Sequence, residues 1–166
     1  MTLIRDWISD ISINPIDASY PVYQIYCWLM TPDNYIIIVS KDWLKRQLPW
    51  WKPHQGEIFL DTLQREIYEE TWIKVSDIIN SAKLFGYYRI TDEWESYLQL
   101  RFIIKLPYII DNDMLLPHEI IGEEDHIKFI KTVPIIKLWE YIGWLPKSHE
   151  FESFIASVNI WYGEYH

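Results

Sequence analysis

Five charged residues stand at spacings that suit a metal ion and a phosphate chain. Glu57, Arg65, Glu66, Glu69 and Glu70 fall within the stretch LPWWKPHQGEIFLDTLQREIYEETWI, Leu48 to Ile73. Positions 66, 69 and 70 are related as i, i+3 and i+4, so on a helix their side chains share one strip. That strip spans about 100° of the wheel, beside the apolar stripe of Leu60, Leu63 and Ile67. Like charges at this spacing cost a few tenths of a kcal/mol per pair unless something neutralises them. A divalent cation removes that cost. Carboxylate oxygens on a rigid helix suit Mg²⁺, which keeps several waters and leaves positions for substrate phosphates. Arg65 is the cation in the cluster, and Glu57, eight residues earlier, can fold back to pair with it. Without its context, the same acid-rich run also describes a solvated helix face.

The elements that must position these residues are legible in outline. Phe59 to Thr71 has helical spacing, with Phe59, Leu60, Leu63 and Ile67 on one side. Tyr20 to Thr31 and Asn34 to Lys41 are β-rich runs joined by Pro32, Asp33 and Asn34, a hairpin signal. Ala82 to Thr91 and Ser96 to Leu106 read as two more strands. In the second, Tyr97, Gln99 and Arg101 point one way and Leu98, Leu100 and Phe102 the other. His126 to Thr132 reads as a strand, a helix is expected from near Pro134, and another from Glu150 to about Val158. The two tryptophans at 50 and 51 follow Pro49 in what reads as a loop. Strands, a helix, then strands and helices again argue for an α/β (α+β) chain with a mixed sheet and helices packed on it.

The totals bound the class. A chain of 166 residues with 49% hydrophobic and 23% charged residues suits one globular domain, 1–166. A net charge of −9 makes a nucleic-acid polymer a poor partner, while a small phosphorylated ligand stays possible if a metal bridges the like charges. The single cysteine, Cys27, excludes an intrachain disulfide and a multi-cysteine zinc site and fits a reducing, cytoplasmic setting. The start MTLIRDWISD has no apolar core behind a basic stretch, and no 18-residue apolar run occurs. Neither a signal peptide nor a membrane helix is expected.

The longer pattern is more specific than its parts. Glu57, seven residues, then Arg-Glu-Ile-x-Glu-Glu resembles the Nudix box, G-x5-E-x7-R-E-U-x-E-E-x-G-U, where U is a bulky aliphatic residue. All five charged positions match, and Ile67 and Ile73 fill the aliphatic ones. Five such matches arise by chance about once per million start positions. The resemblance covers 23 residues, and the order of elements around it also suits the family.

The resemblance implies a Nudix-type α/β/α sandwich, a mixed β-sheet flanked by helices. It implies Mg²⁺-dependent hydrolysis (with Mn²⁺ as a substitute) of a nucleoside diphosphate linked to some group X, a small-molecule substrate. Glu69 and Glu70 would be the main metal ligands. Glu66 would bind metal or take the proton of the attacking water, and Arg65 and Glu57 would hold the helix carboxylates in place. The main-chain carbonyl of Trp50 would add a further ligand, and Glu123 or Glu124, in the acidic stretch PHEIIGEEDH, would add a metal ligand or a base, against a solvated acidic loop. Arg101, Gln99 and Tyr88 are candidates for contact with phosphate or base, against ordinary packing. Homodimers are common in the family. The alternative is a catalytically inactive Nudix domain that binds a nucleotide or a protein partner.

The departures from the box are all of one kind. Trp51 and Trp72 stand where the box has glycine, and Trp50 where the family commonly has it. Glycine is scarce, 5 residues, and tryptophan abundant, 10. Glycine at such positions lets a backbone turn tightly or end a helix in the left-handed region, where an indole-bearing residue is strained. One account is a gene that uses UGA for glycine, translated with a table that reads UGA as tryptophan. Trp94 and Trp144 lie in turn-like stretches where glycine would also sit naturally. If Trp50 and Trp51 are genuine, their rings would crowd the phosphate site and favour the inactive alternative.

Overall fold

Near-continuous apolar runs, such as Ile36 to Val39 and Cys27 to Met30, produce a mixed sheet that buries both of its faces. The computed structural model describes residues 3–9, 16–42, 44–112, 115, 127 and 129–163. Seven strands are seen among them: β1 (Ile4–Ser9), β2 (Val22–Met30), β3 (Tyr35–Ser40), β4 (Trp50–Trp51), β5 (Lys83–Thr91), β6 (Ser96–Lys105) and β7 (Phe129–Pro134). The order across the sheet is β1-β5-β6-β2-β3-β7, with β4 paired to β2 off this path. β2 runs parallel to β6, and every other pairing is antiparallel.

Side chains alternate across the pleat, so each strand feeds two cores. From β2, Ile25, Cys27 and Leu29 enter the core beneath helix α1 (Phe59–Thr71), together with Leu98, Leu100 and Phe102 of β6 and Leu63 and Ile67 of the helix. From the opposite face, Trp28 and Met30 pack with Phe85, Ile103, Phe154 and Val158 beneath helix α2 (His149–Tyr162). The Trp28 and Phe154 rings stack at 4.0 Å. Burying a large side chain of this kind contributes about 1.5–3 kcal/mol.

The expected strands and the box helix are present. The hairpin closes at Asn34, which takes φ 66°. Four features differ from the sequence reading. The N-terminal strand β1, paired with β5, is absent from it because its apolar residues are few and mostly half-exposed. Trp50 and Trp51 form a short strand rather than a loop. The segment after Pro134 is a 3₁₀ turn, Ile135–Glu140, rather than an α-helix; only Ile135 and Leu138 of it are buried, too few for a continuous α-helical stripe. The last strand begins at Phe129, and His126 lies outside the described residues. Among the described residues no helix is long and apolar enough to cross a membrane.

Candidate active site

Four of the five charged residues of the box, Glu57, Arg65, Glu66 and Glu69, meet along one edge of α1. Gly56 begins the assembly: it takes φ +77°, a left-handed value that favours glycine, and the Glu57 N–H closes the turn on the His54 carbonyl at 3.0 Å. The turn directs Glu57 back along the helix. Its Oε1 accepts from Thr62 Oγ1 at 2.5 Å, and both of its oxygens accept from Arg65 Nη2, at 3.1 and 3.2 Å. The Thr62 hydroxyl, then Arg65, hold the Glu57 carboxyl down to about 2. It is a fixed anion that anchors Arg65. One partly exposed ion pair adds little to stability by itself. Here the value lies in geometry, because a short network ties the loop to the helix.

Arg65 continues the chain of contacts. Its Nη1 donates to Glu66 Oε1 at 2.7 Å and lies 3.5 Å from Glu69 Oε2. Burial raises the Glu66 carboxyl above its ordinary range, Arg65 opposes this, and the Glu69 charge adds to it. Glu70 points the other way around the helix, toward β4. Burial lifts its carboxyl to about 7, with the nearby charges of Glu66 and Glu69 adding to the shift and Lys41 opposing it. The Trp51 indole N–H faces Glu70 and eases the shift, but neither Trp51 Nε1 nor Glu70 Oε2 reaches hydrogen-bond geometry with a described residue. An orphaned buried carboxylate oxygen is costly unless a ligand completes it.

These residues suit a hard cation in chemistry and in placement along one strip. In their present arrangement Arg65 occupies Glu66 and Glu69. Among the described residues no three His, Cys, Asp or Glu side chains converge on one point. Glu123 and Glu124 lie outside the described residues. Trp50 lies in β4 beside Trp51, so its main chain is one residue from the indole that faces Glu70.

The three tryptophans at glycine positions are not alike. Trp72 caps α1 at φ 62° and ψ 7°, the left-handed conformation in which glycine is preferred, and its side chain is 53% exposed. Trp50 and Trp51 are in extended strand pairing with Tyr26 and Ile25, and neither has positive φ. The strain expected of an indole at a glycine position therefore applies at Trp72 and not at Trp50 or Trp51. Trp51 is buried in the α1 core, and the Trp50 ring stacks on Tyr26 at 5.9 Å. Trp94 and Trp144 also lack positive φ.

Arg101, Gln99 and Tyr88 gather together, but on the α2 face of the sheet, away from α1. The Arg101 guanidinium lies 3.7 Å from the Tyr26 ring centre and 4.9 Å from that of Tyr88. Its Nε is 3.1 Å from Glu150 Oε2, and Gln99 bonds to Gln24. Arg101 and Glu150 are both almost fully buried, so the pair is not polar sheet surface. Sequence reading missed Glu150 and Tyr26, because nothing in their local spacing marks them.

Several solved structures share the fold. The Bacillus subtilis pyrophosphohydrolase BsRppH aligns over 99% of this chain and 100% of its own, with a TM-score of 0.64 at 13% identity. The Nudix domain of Shewanella oneidensis NrtR, complexed with ADP-ribose, covers 84% of this chain and 96% of its own, with a TM-score of 0.53 at 11% identity. The E. coli dihydroneopterin triphosphate pyrophosphohydrolase covers 76% of this chain and 96% of its own, with a TM-score of 0.50 at 14% identity. No protein-family model matches the sequence, and no curated protein matches it. The fold is the Nudix fold, a seven-stranded mixed sheet between helices.

Proposed function

We propose that this protein is a Nudix-type pyrophosphohydrolase that cleaves a nucleoside diphosphate linked to a group X. The observation that supports the reading is the network that links Glu57, Arg65, Glu66 and Glu69 along one loop–helix edge of this fold, with Glu70 on the adjoining side of the same helix. The fold is shared with two pyrophosphohydrolases and with a domain complexed with ADP-ribose, a compound of the substrate class proposed here.

Glu66, Glu69 and Glu70 would hold Mg²⁺ or Mn²⁺, with the Trp50 carbonyl as a further ligand. A bound divalent ion there would neutralise phosphate charge and lower the pKa of an attacking water. Glu57 keeps Arg65 oriented, and Arg65 keeps Glu66 and Glu69 on one strip. For the oxygens to converge, the 3.5 Å contact between Arg65 and Glu69 has to open. It is the longest contact of the network, and the Glu69 side chain is 47% exposed. Glu66, partly buried and raised above the ordinary carboxylate range, would either ligate the metal or accept a proton from the attacking water. Glu69→Gln should remove most Mg²⁺-dependent turnover while leaving thermal unfolding nearly unchanged. Unaltered turnover would refute the ligand assignment.

A second reading is a Nudix domain that binds a nucleotide without cleaving it. It is favoured by the grip of Arg65 on two carboxylates and by the Trp51 indole beside Glu70. Titration with Mg²⁺ and a nucleotide panel separates the two: binding without release of phosphate or nucleoside monophosphate selects the second.

A further inference from the structure

A cavity of about 170 Å³ on the α2 side of β4 gathers a charge opposite to that of the chain. Among the described residues Arg5, Lys45, Arg46 and Arg101 line it, with Glu150 as the one carboxylate. The protein as a whole carries −9, so four cations in one small cavity run against its overall balance. Glu150 is committed to Arg101 at 3.1 Å and to the Trp28 indole N–H at 2.9 Å through Oε2, and Tyr88 also faces it. Its Oε1 has no partner among the described residues. No described carboxylate lies within ion-pair distance of Arg5, Lys45 or Arg46. Arg46 Nε is buried and has no acceptor among the described residues, while its guanidinium is held 5.5 Å from the Phe129 and Tyr141 ring centres. A buried N–H donor without an acceptor marks a place for one.

The cavity adjoins the box across one short strand. Tyr26, in its wall, stacks on Trp50, and the next residue, Trp51, faces Glu70. Lys41 bridges the two sides, 5.4 Å from the Trp50 ring centre and close enough to Glu70 to act on its charge. We propose that this cavity binds a phosphate group of the substrate's X portion. Resting on the hydrolase reading, this makes X a phosphorylated group, as in nucleoside triphosphates or dinucleoside polyphosphates, rather than an uncharged sugar. Lys45 and Arg46 supply the charge-assisted hydrogen bonds, and Arg101, fixed by Glu150, forms the cationic floor.

The test uses the full chain and two readouts. Calorimetry with inorganic tripolyphosphate, metal-free and at low salt, should show binding that Lys45→Ala with Arg46→Ala weakens about tenfold. Lys137→Ala, at an exposed site away from the cavity, should leave it unchanged. In Mg²⁺-dependent turnover the double variant should raise KM for ATP about tenfold and that for ADP-ribose less than threefold. Equal tripolyphosphate affinity in wild type and double variant overturns the proposal, as does an equal loss in Lys137→Ala. Matching KM rises for both substrates overturn the assignment to X. If no protein turns over either substrate while tripolyphosphate binding still depends on Lys45 and Arg46, the hydrolase reading falls and the anion cavity stands.

Discussion

Arg65 reaches back eight residues to grip Glu57, its Nη2 donating to both carboxylate oxygens at 3.1 and 3.2 Å. The contact turns a half-buried loop residue into a strut for the helix that carries Glu66, Glu69 and Glu70.

The strut has a pH signature. The Glu57 carboxyl is held at about 2, below its usual 4.5, so its stabilising contribution is present above pH 4.5 and is lost as pH falls toward 2. Thr62→Val and Arg65→Ala should each raise the Glu57 pKa and move the acid-unfolding midpoint to higher pH. NMR titration of the Glu57 carboxyl carbon checks the first effect, and circular dichroism against pH the second.

Glu70 titrates with the opposite sign. Its carboxyl is raised from 4.5 to about 7, so the folded state holds a proton that the unfolded chain has released. Metal-free stability should therefore fall as pH rises from 4.5 to 7 and stay reduced above that, by up to about 3 kcal/mol. Glu70→Gln should abolish this loss. Urea unfolding at pH 5 and pH 8, with EDTA present, measures it; a variant as pH-sensitive as the wild type would contradict the assignment.

The same proton competes with metal. If Glu70 is a ligand, Mg²⁺ affinity should rise nearly tenfold per pH unit below 7 and level off above it, with up to one proton released per ion bound below that point. Calorimetry in two buffers of different ionisation enthalpy counts the protons. A flat affinity from pH 5.5 to 8 would remove Glu70 from the ligand set.

Trp72 sits at φ 62° in the helix C-cap, its ring edge-on to Tyr68 at 5.9 Å. Left-handed backbone costs a non-glycine residue about 1–2 kcal/mol, against about 0.5–1.5 kcal/mol for such a ring pair. Trp72→Gly should stabilise the protein by up to about 1 kcal/mol, seen as a Tm increase of a few degrees. Trp51→Gly should instead destabilise it by about 3 kcal/mol or more, because Trp51 fills the α1 core. A TGG codon at position 72 would show the strain to be genuine and end the miscoding account there.

Cys27 is buried in the α1 core, and burial pushes its thiol far above the ordinary range. It should be inert to a thiol-specific reagent in the native state and react in denaturant. Rapid labelling of the folded protein would contradict this placement.

The box was legible because helix periodicity converts spacing directly into shared position. Glu66, Glu69 and Glu70 are neighbours on any helix that includes them, and the apolar stripe of Leu63 and Ile67 dictates which side of that helix is buried. The alternation of Gln99 and Arg101 against Leu98 and Leu100 was equally plain, because a strand has only two faces. Which face meets which helix is settled by sheet order and crossover, and these depend on contacts far apart in sequence. Trp28 and Glu150 are 122 residues apart, yet their hydrogen bond helps seat α2 over Arg101. Gly86 and Trp7 form a similar pair: a β-carbon at 86 would come within 2.3 Å of the Trp7 ring, so β1 can only add to the sheet at a glycine. Local spacing determines what a single element presents. The cationic cavity, the Glu70 oxygen without a partner among the described residues and the different surroundings of Trp50, Trp51 and Trp72 arise only when distant strands pack, because burial and electrostatic environment belong to the assembled core.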